Sequence, residues 1–157
     1  MSVDCNSSVA SLAKGALSFP KEERLHHRSL VERLFRSGKA FYEFPFKVIW
    51  QALSEEELKK NFRNNPPDGI GSMQLLITVP KKKRKLAVDR VLMRRRIREA
   101  YRLNRLPLKK ATTENPNVRV LNLALIYIHN ANLPYALVEE KMESVLARLR
   151  SKFTTQD

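Results

Sequence analysis

The chain has one cysteine, Cys5, among 157 residues. A single thiol closes no internal disulfide and suits a reducing cytoplasm, which is the expected compartment. Finger-type zinc sites need clustered Cys and His, and three histidines with one cysteine do not supply them. Glycine is almost as scarce. Gly15, Gly38, Gly69 and Gly71 are the four present, and they build no glycine-rich loop of the kind that cradles phosphates. No Ser-His-Asp constellation stands out, so the chain shows no catalytic group of its own. No apolar run approaches the about 20 residues that span a bilayer. Acidic residues are also few: 16 Asp and Glu face 30 Lys and Arg, for a net charge of +14. A surplus of that size asks for a polyanionic partner, nucleic acid before membrane.

The surplus is concentrated. Between Lys81 and Arg102 stand Lys81, Lys82, Lys83, Arg84, Lys85, Arg90, Arg94, Arg95, Arg96, Arg98 and Arg102 against only Asp89 and Glu99, a net +9 in one segment. Asp89 is suited to cap the first turn of a helix running to Asn104. After it, Arg90, Arg94, Arg98 and Arg102 recur every four residues and are expected to stack as one ridge. Met93, Ile97, Ala100 and Tyr101 make a narrow apolar stripe beside that ridge. Arginines four apart repel one another by a few tenths of a kcal/mol per pair. A helix shaped for solubility alone would interleave Glu, so the comb reads as a nucleic-acid face rather than a solvated surface.

Along the chain, residues 1–20 read as a flexible tail, with Asp4 and Lys14 arguing against a signal peptide. Residues 21–153 read as one domain, and 154–157 as a short tail. Lys21 to Arg36 has helical spacing, with Pro20 at its entrance and Ser37-Gly38 ending it, Gly38 as the C′ residue. Phe41 to Leu53 reads as one strand with an edge or break at Pro45. Within it Phe46, Val48 and Trp50 share one face, and Lys47, Ile49 and Gln51 the other. Residues 53–72 form a long inserted connection, in which Glu55, Glu56 and Glu57 with Leu58 suit one helical turn. With no second acidic cluster nearby, this reads as a solvated insertion and not a metal site. Met73 to Val79 and Val118 to His129 are apolar enough for central strands. Pro107 stops the basic helix, Leu108 to Asn117 reads as a linker, and Pro134 opens a last amphipathic helix to about Lys152. Adjacent His26 and His27 point about 100° apart on a helix, which suits a surface pair rather than two metal ligands. The order helix, strands, helix, strand, helix predicts the α+β class: a single two-layer α/β sandwich on a mixed sheet.

The segment Lys81-Lys82, Ala87-Val88, Arg90, Arg94-Arg95, Ile97-Arg98 resembles the signature of the bacterial ribonuclease P protein component. Arg24-Leu25, Leu34-Phe35, Gly38 and the closing strand, turn and helix extend the likeness over about Glu22 to Lys152. The pattern departs at Val91 and Leu92, where the family has Asn and Arg. The resemblance implies a left-handed βαβ crossover through the basic helix. It implies the protein subunit of a ribonucleoprotein endonuclease that removes the 5′ leader of precursor tRNA. The catalytic RNA would carry out hydrolysis with its own Mg²⁺, and the protein would bind no cofactor. Lys81, Lys82, Arg90, Arg94, Arg95 and Arg98 are then the first candidates for the RNA subunit, with Lys83, Arg84, Lys85, Arg96 and Arg102 next. Phe35, Phe46 and Trp50 become candidates for the leader cleft; Phe35 and Phe46 can equally be core, whereas the polar N–H of Trp50 favours a cleft edge slightly. The implied partners are the catalytic RNA and precursor tRNA in a 1:1 particle, with no membrane and no DNA.

Three rivals exist. Pro80 to Lys85 reads like a nuclear import signal, but it leaves a buried-looking strand and enters a helix. A free-standing, ribosome-associated RNA-binding module would share the charge pattern. An anionic-membrane binder would need bulky apolar residues opposite the arginines, and the Met93, Ile97, Ala100 stripe is thin.

Overall fold

The computed structural model describes residues 19–62 and 65–154. A 3₁₀ turn, Lys21–Glu23, precedes α1, Arg28–Ser37. Strands β1, Lys39–Glu43, and β2, Phe46–Leu53, follow, then α2, Glu55–Asn61, and β3, Met73–Thr78. The basic helix α3 is Ala87–Asn104, and α4 is Leu106–Glu114. Strand β4, Val120–Tyr127, and helix α5, Tyr135–Thr154, complete the chain. The sheet order is β1-β2-β4-β3. β1–β2 and β2–β4 are antiparallel, and β3–β4 are parallel, joined through α3 and α4. The expected α+β class and mixed sheet are present. The expected tail over 1–20 lies outside the described residues except at Phe19 and Pro20, and Phe19 packs edge-on to Tyr101 at 5.9 Å. The closing tail keeps only Thr154 within them, as the last residue of α5.

Alternation along the strands creates two cores. On one face Phe46, Val48, Trp50, Leu75, Leu121, Leu123, Leu125 and Tyr127 meet Met93, Ile97 and Tyr101 of α3 and Val138, Met142, Val145 and Leu149 of α5. On the other, Ile49, Leu53, Val120 and Ala124 lie under Leu30 and Leu34 of α1, with Leu25 and Leu58 beside them. Each fully buried aliphatic or aromatic side chain stabilises by about 1.5–3 kcal/mol. The sandwich is thus the sheet against α3 and α5, with α1 and α2 covering part of the second face.

Several expected boundaries shift, each for a physical reason. The first helix begins at Arg28, because Leu25 leaves the turn to donate its N–H to Leu75 O at 3.0 Å, beside the Arg24–Leu75 bridge. Gly38 ends α1 with φ −72°, not left-handed; a Cβ there would sit 2.4 Å from Leu34 O, so it is the missing atom that matters. The single strand over Phe41 to Leu53 is a hairpin. It turns at the cis Phe44–Pro45 bond and pairs Glu43 with Phe46. The inserted connection holds a full helix, α2, because Ser54 and Glu57 form a reciprocal capping box. The presumed linker is α4, since Pro107 falls in its first turn, where a missing N–H costs nothing.

Glu23 is buried between the N-terminal turn and α4. Its carboxylate accepts from Arg105 at 2.9 Å and Lys109 at 2.6 Å. Removing Glu23 costs about 3–5 kcal/mol, because it takes the carboxylate from the buried Arg105 guanidinium. The pair thereby fixes the C-terminal end of α3 to the segment before α1.

Candidate nucleic-acid interface

After β3, Lys81–Lys83 form a turn in which the Lys83 and Arg84 amides donate to Pro80 O. All four lysines of the run, Lys81, Lys82, Lys83 and Lys85, are exposed. Arg84 is not. Its guanidinium pairs with Asp89 at 3.0 Å and donates to Asn132 Oδ1 at 2.9 Å and Asn130 O at 2.8 Å. Asn132 in turn donates to Asp89 at 3.0 Å. Asp89 therefore does not cap the helix: Ala87 starts it, Leu86 stands at the N-cap without a side-chain bond, and Asp89 clamps Arg84 from the first turn. A carboxylate there also suits the positive end of the helix dipole.

The arginines of α3 divide by direction. Residues four apart on an α-helix drift by about 40° per step, so the row Arg90, Arg94, Arg98, Arg102 winds around the helix instead of forming one edge. At its inner end Arg90 donates to Arg84 O at 3.0 Å and Lys85 O at 2.8 Å, bracing the loop. Arg96 donates to Leu133 O at 2.5 Å, in the turn before α5. Arg102 pairs with Glu99 at 2.6 Å, and that hydrogen bond holds the Glu99 carboxyl below the usual range despite some opposing desolvation. Arg84, Arg90, Arg96 and Arg102 thus spend donors on the protein. Arg94 is half-exposed, and Arg95 and Arg98 are exposed. No carboxylate among the described residues pairs with these three or with the four lysines. The outermost ridge is Val88, Val91, Arg95, Arg98, at i, i+3, i+7 and i+10, all exposed.

The aromatic candidates separate too. Phe46 is 0% exposed and packs edge-on to Tyr127 at 6.5 Å, so it offers no face to a base. Trp50 is 8% exposed, against Phe153 at 5.7 Å, with Lys39 and Lys152 ammonium groups 5.2 and 5.7 Å from its ring centroid. Both point to the α3–α5 side, which is core. Alternation was read correctly, but the less covered side is the other one, where Lys47 and Gln51 are half-buried on either side of buried Ile49. Phe35 on α1 is 47% exposed. Tyr42 and Phe44, at the hairpin, were not singled out from sequence and are 64% and 50% exposed. Lys47 approaches the Tyr42 ring at 5.7 Å, and Phe44 stacks edge-on to His129 at 5.0 Å. Their signal was Pro45, which marks the turn beside which Tyr42 and Phe44 stand, although Phe46 on its other side is buried.

The whole pattern of charge and strands now meets known proteins. A family model described as Ribonuclease P matches residues 19–150. The chain belongs to the ribonuclease P protein family. It is 29% identical over 129 residues to the ribonuclease P protein component of Porphyromonas gingivalis W83, covering 82% of this chain and 84% of that protein. Strain ATCC 33277 of the same species has a relative of the same identity. In fold the chain is similar to the RNase P protein of Staphylococcus aureus, with a TM-score of 0.54 and 19% identity over 83% of this chain and 96% of that one. The RNase P protein of Thermotoga maritima gives 0.54 and 22% over 80% and 96%.

Where the ribonuclease P signature has Asn and Arg, Val91 points outward and Leu92 is half-buried. Two of the acidic triplet are committed elsewhere: Glu57 caps α2 and meets Arg33 at 3.2 Å, and Glu55 meets Arg119 at 3.2 Å. Among the described residues no group of three or more His, Cys, Asp or Glu is placed to hold a metal ion. His26 and His27 stack on each other at 4.3 Å, and burial followed by the His26 charge lowers the His27 pKa. Among the described residues no helix is long and apolar enough to cross a membrane.

Proposed function

We propose that the chain is the protein component of a bacterial ribonuclease P, in which it binds the catalytic RNA and helps it remove 5′ leaders from precursor tRNA. One observation carries this reading beyond family membership. In the parallel β3–β4 crossover, Lys81, Lys82, Lys83, Lys85, Arg94, Arg95 and Arg98 pair with no carboxylate among the described residues, while Arg84, Arg90, Arg96 and Arg102 shape the platform beneath them. Unpaired cations on a braced scaffold suit phosphates, whose neutralisation drives binding by counterion release. The braced arginines are therefore positioning residues, and the outward ones are the RNA contacts.

The 5′ leader belongs on the α1 side of the sheet in this reading. Phe35, Tyr42 and Lys47 lie on that side, and aromatic faces stack on unpaired bases for about 1–3 kcal/mol each. Hydrolysis and Mg²⁺ remain with the RNA, in a 1:1 particle in the cytoplasm. The protein's chemical part is electrostatic: it lowers repulsion between two RNAs. Reconstitution tests it. The protein, a cognate catalytic RNA and precursor tRNA should give 5′ cleavage at low Mg²⁺ where the RNA alone is slow. No stimulation at any Mg²⁺ concentration would overturn the assignment. Copurification with ribosomal RNA alone would favour a ribosome-associated module instead.

A further inference from the structure

The N-terminal part of α3 is apolar where the rest of its outer ridge is basic. Leu86 is 63% exposed, Val88 70% and Val91 38%. Val88 and Val91 continue the line of Arg95 and Arg98 at helical spacing, so one straight ridge changes from aliphatic to cationic along its length. The apolar end is rigidly seated. Leu86 follows the loop that Arg90 braces through Arg84 O and Lys85 O, and Asp89 locks Arg84 one turn away. It is also rimmed by charge: Lys85 precedes it, the exposed turn Lys81–Lys83 leads into it, and Arg94 and Arg95 follow it. An occupant must tolerate that positive rim and still present a flat apolar face.

We propose that Leu86, Val88 and Val91 form an apolar seat for an unstacked nucleobase of the RNA bound by the same ridge. This rests on the RNA-binding reading above and deepens it. A nucleobase combines an apolar π-face with phosphates on either side, matching an aliphatic patch inside a cationic rim. Aliphatic side chains serve against unstacked bases elsewhere, as wedges and pocket walls. A protein partner would need an apolar centre ringed by carboxylates. The seat makes part of the RNA affinity independent of salt, because apolar contact releases no counterions. It also assigns a task to Val91, one of the two positions where this chain departs from the signature.

The test uses the full chain and a cognate catalytic RNA, with affinity measured across a salt series. Leu86→Ser with Val88→Ser should weaken binding about tenfold, within the range of one lost base contact, and leave the slope of log affinity against log salt unchanged. Leu86→Met with Val88→Ile should bind as the wild type does. Chemical probing should show one unpaired base protected by wild type and exposed with the serine pair. Leu86→Ala with Val88→Ala carries the test if circular dichroism shows the serine pair unfolded. If the wild type binds RNA and the serine or alanine pair binds equally well, the seat is overturned while the RNA-binding role stands. A shallower salt slope in the variant also overturns it. So does wild-type self-association that the variant abolishes without RNA, which makes the patch a protein interface. If the wild type does not bind the RNA, the proposed function fails and this inference with it.

Discussion

Arg84 and Arg95 are eleven residues apart in one basic segment, and they do opposite things. Arg84 gives its donors to Asp89, Asn132 and Asn130 and closes the loop onto the turn before α5. Arg95 has no carboxylate partner among the described residues and faces outward. The same division runs through the segment, with Arg90 and Arg96 bonded to backbone carbonyls. Charge density alone therefore overstates an interface. Some cations build the surface on which the others act, and the two kinds must fail differently when mutated.

The largest contrast lies between the two sheet faces. Phe46→Ala opens a cavity under Tyr127 and should cost about 3–5 kcal/mol in urea unfolding. Tyr42→Ala is exposed and should unfold like the wild type, yet weaken binding of long-leader precursor by about 1–3 kcal/mol. Mature tRNA should not register the change. Equal stability losses in the two variants would erase the distinction between closed and open faces.

Next comes the clamp. Arg84→Met takes the guanidinium donor from the Asn130 carbonyl and Asn132 Oδ1 and leaves Asp89 with Asn132 alone, and should destabilise by about 1–3 kcal/mol. Its effect on the salt dependence of RNA binding should be small, because the charge is tied up in the protein. A variant as stable as wild type but with a markedly shallower salt slope would move Arg84 to the contact surface.

The smallest expected effect is a gain. Glu99 stands among Arg95, Arg98 and Arg102 and holds Arg102 at 2.6 Å. Glu99→Gln removes an anion beside the ridge and should tighten RNA binding by about two- to fivefold at low salt, with stability changed by less than about 1 kcal/mol. Weaker binding would mean that Glu99 positions Arg102 for contact.

Strands β3 and β4 and helices α3 and α5 were legible because long apolar stretches and clear periodicity leave few alternatives. The break at Pro45 was readable, but not that the chain folds back there into a hairpin, which only pairing reveals. Helix α4 was hidden by Pro107 and the pair Thr112-Thr113, weak helix formers held by burial of Leu108, Ala111 and Thr112. At the site, the identity of the basic segment was readable and the direction of each arginine was not. Direction depends on where α5's leading turn offers carbonyls, which is tertiary information. For Phe46 and Trp50 the shared face was right, but which face is covered depends on α3 and α5.

The central claim is that outward Arg95 and Arg98 contact phosphates and inward Arg84 does not. Salt dependence of affinity for the catalytic RNA tests it most directly. Each neutralised phosphate contributes about 0.7–0.9 to the slope of log affinity against log salt. Arg95→Gln with Arg98→Gln should lower the slope by about 1.4–1.8 while urea unfolding stays at the wild-type midpoint. Arg84→Met should show the reverse, a lower midpoint with the slope preserved. An unchanged slope in the Arg95 and Arg98 variant, with the fold intact, would contradict the account.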